Sequence, residues 1–341
     1  MSIDNRLIRK NSLEKLFDIL RQNNKKVYAP ATKNGKVSFK EAGRYSEIAT
    51  GYVQTTQSSK EVSFPRNEKL LNYSKGSEGI SVKGIDIDGM PDIIIWGTRP
   101  CDAMGISQLS SIFNWDYKDE IYNNRLSRVT NLGFSCSKAD EYCFCTSVGG
   151  NPGDTSGSDI LFTQLGDDGD FLAEVLTDKG SAVVSMASEL FEKAGEIKKE
   201  QYLAEVPVRF NQEEIRQKLE SYFESDEWVA QSLKCLGCGA CAYVCPTCAC
   251  FDIQDESHGK SGLRVRCWDS CGFSLFTLHT SGHNPRDVQS QRWRQRIMHK
   301  FSYMPERQAV YGCTGCGRCS RACPADMNIL EHLISIQETA L

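Results

Sequence analysis

The sequence predicts an α+β protein in two parts: a mixed α/β domain over residues 1–230 and a small cysteine-rich domain over residues 231–341. Three observations point there. The chain has 341 residues, about two domains' worth on a soft length prior. Helix-like and strand-like apolar patterns alternate through its first two thirds. The composition then changes: of 16 cysteines only Cys101, Cys136, Cys143 and Cys145 precede residue 235, and all five histidines lie from His258 onward.

The N-terminal elements follow in order. Asn11 and Glu14 have capping-box spacing. Leu13, Leu16, Phe17 and Leu20 share one helical face behind them. Residues 26–30 and 37–40 read as short strands, and 92–96 as a buried one. That strand runs into Arg99, Pro100, Cys101 and Asp102, where Asp102 is placed to cap a helix. Residues 159–165 and 171–176 flank a Gly-Asp-Asp-Gly-Asp turn and read as a hairpin. Residues 185–200 and 211–232 read as amphipathic helices, the second leading into the cysteine-rich part.

The overall numbers are those of an ordinary globular protein: 40% hydrophobic, 25% charged, net charge −4. They exclude a mainly disordered chain, a collagen and a strongly basic nucleic-acid binder. The first ten residues hold no apolar signal core, and no apolar run is long enough to span a bilayer. A cytoplasmic protein with reduced thiols is expected, and there many cysteines point to metal rather than to disulfides.

Two runs share one spacing. Cys235, Cys238, Cys241 and Cys245 precede Pro246; Cys313, Cys316, Cys319 and Cys323 precede Pro324. Each is C-x₂-C-x₂-C-x₃-C-P, the bacterial ferredoxin run. Three thiolates two residues apart wrap a tight loop around a cubane, and glycines between them let the backbone approach. In two-cluster ferredoxins the fourth cysteine of each run serves the other cluster. The expectation is therefore two [4Fe–4S] clusters, one on Cys235, Cys238, Cys241 and Cys323, the other on Cys313, Cys316, Cys319 and Cys245. A zinc site is the alternative, but zinc ribbons pair two C-x₂-C units for four ligands in all. The C-terminal domain thus reads as ferredoxin-like with a long insertion between the runs.

Eight cysteines remain. Cys101, Cys136, Cys143 and Cys145 are the first candidates for an extra iron–sulfur cluster or zinc ion; core thiols are the alternative. Cys248, Cys250, Cys267 and Cys271, in the insertion, are the second candidate set, with His283 a possible non-cysteine ligand. The basic stretch of Asn284-Pro285-Arg286 and Arg292 to Lys300 reads first as a solvated helix face. Its functional alternatives are docking to an acidic partner, or positive charge that raises a cluster's potential. No G-x-G-x-x-G or P-loop occurs, so no flavin or nicotinamide site is expected in this chain.

Several of these motifs carry a resemblance over most of the chain. They are Arg99-Pro100-Cys101-Asp102, Cys136 with Cys143-Phe144-Cys145, Leu165-Gly166-Asp167, the segments 245–252 and 266–271, Gly282 to Arg286, and His299-Lys300-Phe301. Together they resemble the A subunit of anaerobic sulfite reductase and the β subunit of cytoplasmic sulfhydrogenases, which are nickel–iron hydrogenases. The resemblance covers all four N-terminal cysteines, and in the insertion Cys248, Cys250 and Cys271 more regularly than Cys267. It implies a non-catalytic electron-transfer subunit of an oxidoreductase complex. Such a subunit links a flavin-containing NAD(P)H-oxidising subunit to a catalytic redox subunit that handles sulfite or hydrogen. The competing class is a self-contained redox enzyme whose N-terminal domain binds a flavin or substrate.

Overall fold

The computed structural model describes residues 4–23 and 25–339. Among the described residues twelve strands form two sheets. They are β1 (Asp4–Ile8), β2 (Lys26–Lys33), β3 (Lys36–Glu41), β4 (Asn67–Gly76), β5 (Gly79–Gly84), β6 (Ile93–Thr98), β7 (Val129–Phe134), β8 (Ile160–Gln164), β9 (Phe171–Val175), β10 (Phe191–Lys193), β11 (Phe251–His258) and β12 (Ser261–Trp268). The larger sheet has the order β10-β1-β9-β8-β7-β6-β2-β3. Its centre, β2, β6, β7 and β8, is parallel and its flanks are antiparallel.

The centre explains the apolar run at 93–96. Strand β6 is buried on both faces, as central parallel strands are. Ile94 and Trp96 pack with Leu16, Phe17 and Leu20 of the helix Leu13–Gln22. Ile93 and Ile95 pack with Ile106 of the helix Pro100–Phe113. The hairpin expected at 159–176 is the antiparallel pair β8–β9.

Other expectations need correction. Ser12, not Asn11, stands at the start of the first helix and makes no side-chain cap, because a 3₁₀ turn, Lys10–Ser12, precedes it. Asp102 caps nothing: Arg99 occupies that position, and the Asp102 carboxylate turns to Arg318. The helix expected at 185–200 is instead a helix Asp178–Met186, a 3₁₀ turn and strand β10. Pairing with β1 and burial of Leu190 and Phe191 override local propensity there. The helix expected at 211–232 breaks into Gln212–Tyr222 and Glu227–Ser232. The Trp228 indole donates to the Tyr222 carbonyl (2.9 Å) across the break.

The second sheet has the order β11-β12-β4-β5. It joins the insertion to the N-terminal part, because β12 pairs antiparallel with β4. In that register Arg266 faces Glu68, and the two form a buried ion pair reinforced by Arg125 and Asp119.

Candidate iron–sulfur centres

The two cysteine runs fold into copies of one loop. Gly237 and Gly239 have φ of 66° and 71°; Gly315 and Gly317 have 65° and 67°. All four occupy left-handed backbone that side chains resist, which explains glycine at equivalent places in both runs. Each loop ends in one helical turn, Ala240–Tyr243 or Arg318–Arg321.

Cys235, Cys238, Cys241 and Cys323 line one small cavity of about 40 Å³, together with Cys271 and Cys319. Cys245 does not line it. Cys245 lies buried within electrostatic reach of Cys313 and Cys319. Its sulfur is 3.2 Å from Thr247 Oγ1 and takes a hydrogen bond from Lys300 Nζ (3.4 Å). Burial pushes the Cys313 thiol up to about 12 and the Cys319 thiol up to about 11. Without a metal these thiols stay protonated, and ligation must remove the protons.

The four N-terminal cysteines also meet. Cys101 is the second residue of the helix after β6, Cys136 follows β7, Cys143 lies in the next loop and Cys145 opens the 3₁₀ turn Cys145–Val148. All four line one cavity of about 30 Å³, and Gly315 and Cys316 of the second ferredoxin loop line it too. Gln54 Nε2 donates to Cys101 Sγ (3.1 Å), and Arg321, paired with Asp140, reaches Cys143 Sγ (3.6 Å). Burial raises Cys145 to about 12, with Cys136 and Cys143 adding to the effect.

The contact between the two loops is tight. The Phe144 amide donates to the Gly315 carbonyl (2.9 Å), and a Cβ on Gly315 would lie 2.5 Å from the Cys145 nitrogen. Gly315→Ala should therefore cost about 2–4 kcal/mol, adding overpacking to left-handed strain. Gly35→Ala is the matched control: its φ is 72°, but open space surrounds it. Equal shifts in denaturation midpoint for the two variants would refute the tight contact.

In the insertion the structure gathers three of the four thiols. Cys248 lies beside Cys245, and Cys250 beside Cys271. Cys250 and Cys271 open onto a pocket of about 610 Å³ that Arg286, Arg294, His299 and Arg307 also line. Cys267 sits apart on β12, opposite Asp252, with Asp252 and Glu256 as its charged neighbours. His283 is exposed and its ring lies near His279. Among the described residues, no three His, Cys, Asp or Glu side chains converge closely enough to hold a single metal ion.

The basic stretch is not a solvated face. Arg292, Arg296 and Lys300 are all buried, four residues apart on one side of the helix Gln289–Met298 and the π turn His299–Tyr303 that continues it. That spacing is readable in the sequence, but the alternation of charge hides which side faces inward. Arg318 was missed altogether; it is 1% exposed and bonds Asp102, Gln54 and Thr55.

The chain matches the 4Fe-4S dicluster domain family over residues 234–327. It is 30% identical over 321 residues, 92% of each chain, to the sulfhydrogenase 2 subunit beta of Pyrococcus furiosus. No solved structure matches it. Among the described residues, no helix is long and apolar enough to cross a membrane.

Proposed function

Since the chain belongs to the sulfhydrogenase β-subunit family, we propose that it is the iron–sulfur electron-transfer subunit of a cytoplasmic multi-subunit oxidoreductase. It passes electrons between a flavin-containing NAD(P)H-oxidising subunit and a catalytic redox subunit of sulfite reductase or nickel–iron type. Two [4Fe–4S] clusters, when bound, supply one-electron carriage. Cys235, Cys238, Cys241 and Cys323 hold one; Cys313, Cys316, Cys319 and Cys245 hold the other. Cys101, Cys136, Cys143 and Cys145 hold a further cluster.

The observation that carries this reading is the shared cavity of the N-terminal thiols with Cys316. A wire needs successive centres within short reach, and here one ferredoxin ligand borders the next set of thiols. At the other end Cys238 is exposed, and Leu233 and Leu236 just before it are 79% and 71% exposed. Apolar side chains at the rim of a ligand loop suit docking of a partner subunit. The interior is kept dry by Phe144, Trp293, Phe301 and Met327.

Metal content of the anaerobically purified chain tests the reading. About 12 irons per chain are expected, falling to about 8 in Cys143→Ser, since each cubane takes four cysteines. About 8 irons in the unmodified chain would remove the N-terminal centre. A stoichiometric flavin on the chain alone would favour the self-contained enzyme instead.

A further inference from the structure

Lys60, Arg296 and Lys300 are 3%, 4% and 4% exposed, and they surround one short segment, Cys241 to Cys248. Lys60 Nζ donates to the carbonyls of Cys248 (2.9 Å) and Ala242 (3.5 Å), and lies 3.8 Å from the Trp268 ring centre. Arg296 donates to the Cys241 carbonyl (3.2 Å) and to Cys248 Sγ (3.4 Å). Lys300 donates to Cys245 Sγ (3.4 Å), Thr247 Oγ1 (2.9 Å) and the Gly312 carbonyl.

No carboxylate pairs with any of the three among the described residues. The buried acids Glu68, Asp102 and Glu174 are taken by Arg125 and Arg266, by Arg318 and by Lys199. Burying a cation without an opposing charge costs several kcal/mol. The neighbouring groups able to carry negative charge are the thiolates of Cys241, Cys245, Cys248, Cys250, Cys313 and Cys319 and whatever those thiolates hold. The segment in question supplies Cys241 to one proposed cluster and Cys245 to the other.

We propose that Lys60, Arg296 and Lys300 are positioning charges that hold up the reduction potential of the cluster ligated by Cys245, and to a lesser degree that of the cluster ligated by Cys241. This rests on the ligand sets proposed above. Each reduction adds an electron to a site already surrounded by thiolates, and a fixed cation nearby stabilises the added charge. Net charge, hydrogen bonds to sulfur and burial are the levers that set such potentials. Lys300 uses all three; Lys60 uses charge and burial, since it bonds carbonyls and no sulfur. Burial also shields the three from salt. Lys60 comes from the N-terminal part, 182 residues from Ala242 in sequence, so the potential depends on a contact between distant segments.

The test is a redox titration of the full chain, reconstituted with iron and sulfide and followed by electron paramagnetic resonance. Cys245→Ser first identifies which signal belongs to its cluster. Lys60→Met and Lys300→Met should then move that signal's midpoint to more negative potential, and raising the salt concentration should not restore it. Lys300→Arg keeps the charge and should stay near the unmodified value. An unchanged midpoint in Lys60→Met at full iron content would overturn the proposal. So would loss of iron from Lys60→Met, which would make the lysine a structural brace. Fewer than about 8 irons in the unmodified chain would instead indict the ligand sets.

Discussion

Replacing Asp102 by Ala should destabilise the folded chain by roughly 3–5 kcal/mol, the cost of leaving a buried charge unpaired. Asp102 is fully buried, and its carboxylate meets Arg318 at 2.5 Å. Burial alone pushes the Asp102 carboxyl up, and Arg318 works against that shift. Without the carboxylate, Arg318 keeps the Thr55 carbonyl (2.9 Å), Thr55 Oγ1 (2.8 Å) and Gln54, none of which carries charge. Arg318 stands between Gly317 and Cys319 of the second ferredoxin loop, so the pair also anchors that loop to the N-terminal helix Pro100–Phe113. Asp102→Asn retains an acceptor and should cost less, about 1–3 kcal/mol. Anaerobic denaturant unfolding of the iron-loaded chain checks both. A Asp102→Ala midpoint equal to the unmodified one would show that the pair contributes nothing.

Cys323→Ser should strip about four irons, and they should come from the cluster of Cys235, Cys238 and Cys241 rather than from the run that contains Cys323. The supporting geometry is the cavity that those three cysteines share with Cys323. Serine offers no thiolate, and among the described residues no carboxylate lines the cavity to replace it. The measurement is iron content with resonance spectra of both clusters. If the signal assigned to Cys313, Cys316 and Cys319 vanishes and the other survives, each run holds its own cluster and the crossed arrangement is wrong.

Much of this site is legible along the chain because a cubane imposes a spacing. Ligands two residues apart, glycines in left-handed backbone and a terminal proline are local requirements, and they recur in both runs. The buried strand β6 is legible for the same kind of reason: a strand covered on both faces must be apolar throughout. The helix expected at 185–200 failed where a three-residue edge strand, β10, owes its existence to a partner nearly 190 residues earlier. The hairpins β4–β5 and β11–β12 were not read at all. Strands β5 and β11 are exposed along their whole length, so their short alternations, Ile80 with Val82 and Phe251 with Ile253, mark no buried face.

The α+β class, the two ferredoxin loops and the iron–sulfur clusters they suit can be read along the chain. Which other residues stand beside those loops depends on the packed fold. It set Cys267 apart from Cys248, Cys250 and Cys271 by placing it on β12 opposite Asp252. It brought Cys316 to the wall of the N-terminal thiol cavity. It turned Arg296 and Lys300 from an expected solvent face toward cysteine sulfur. The physical reason is range. Spacing within a loop or a helical turn leaves a periodic mark in the chain. Contacts such as Arg318 with Gln54, 264 residues apart, leave none, because only the packed fold brings their partners together.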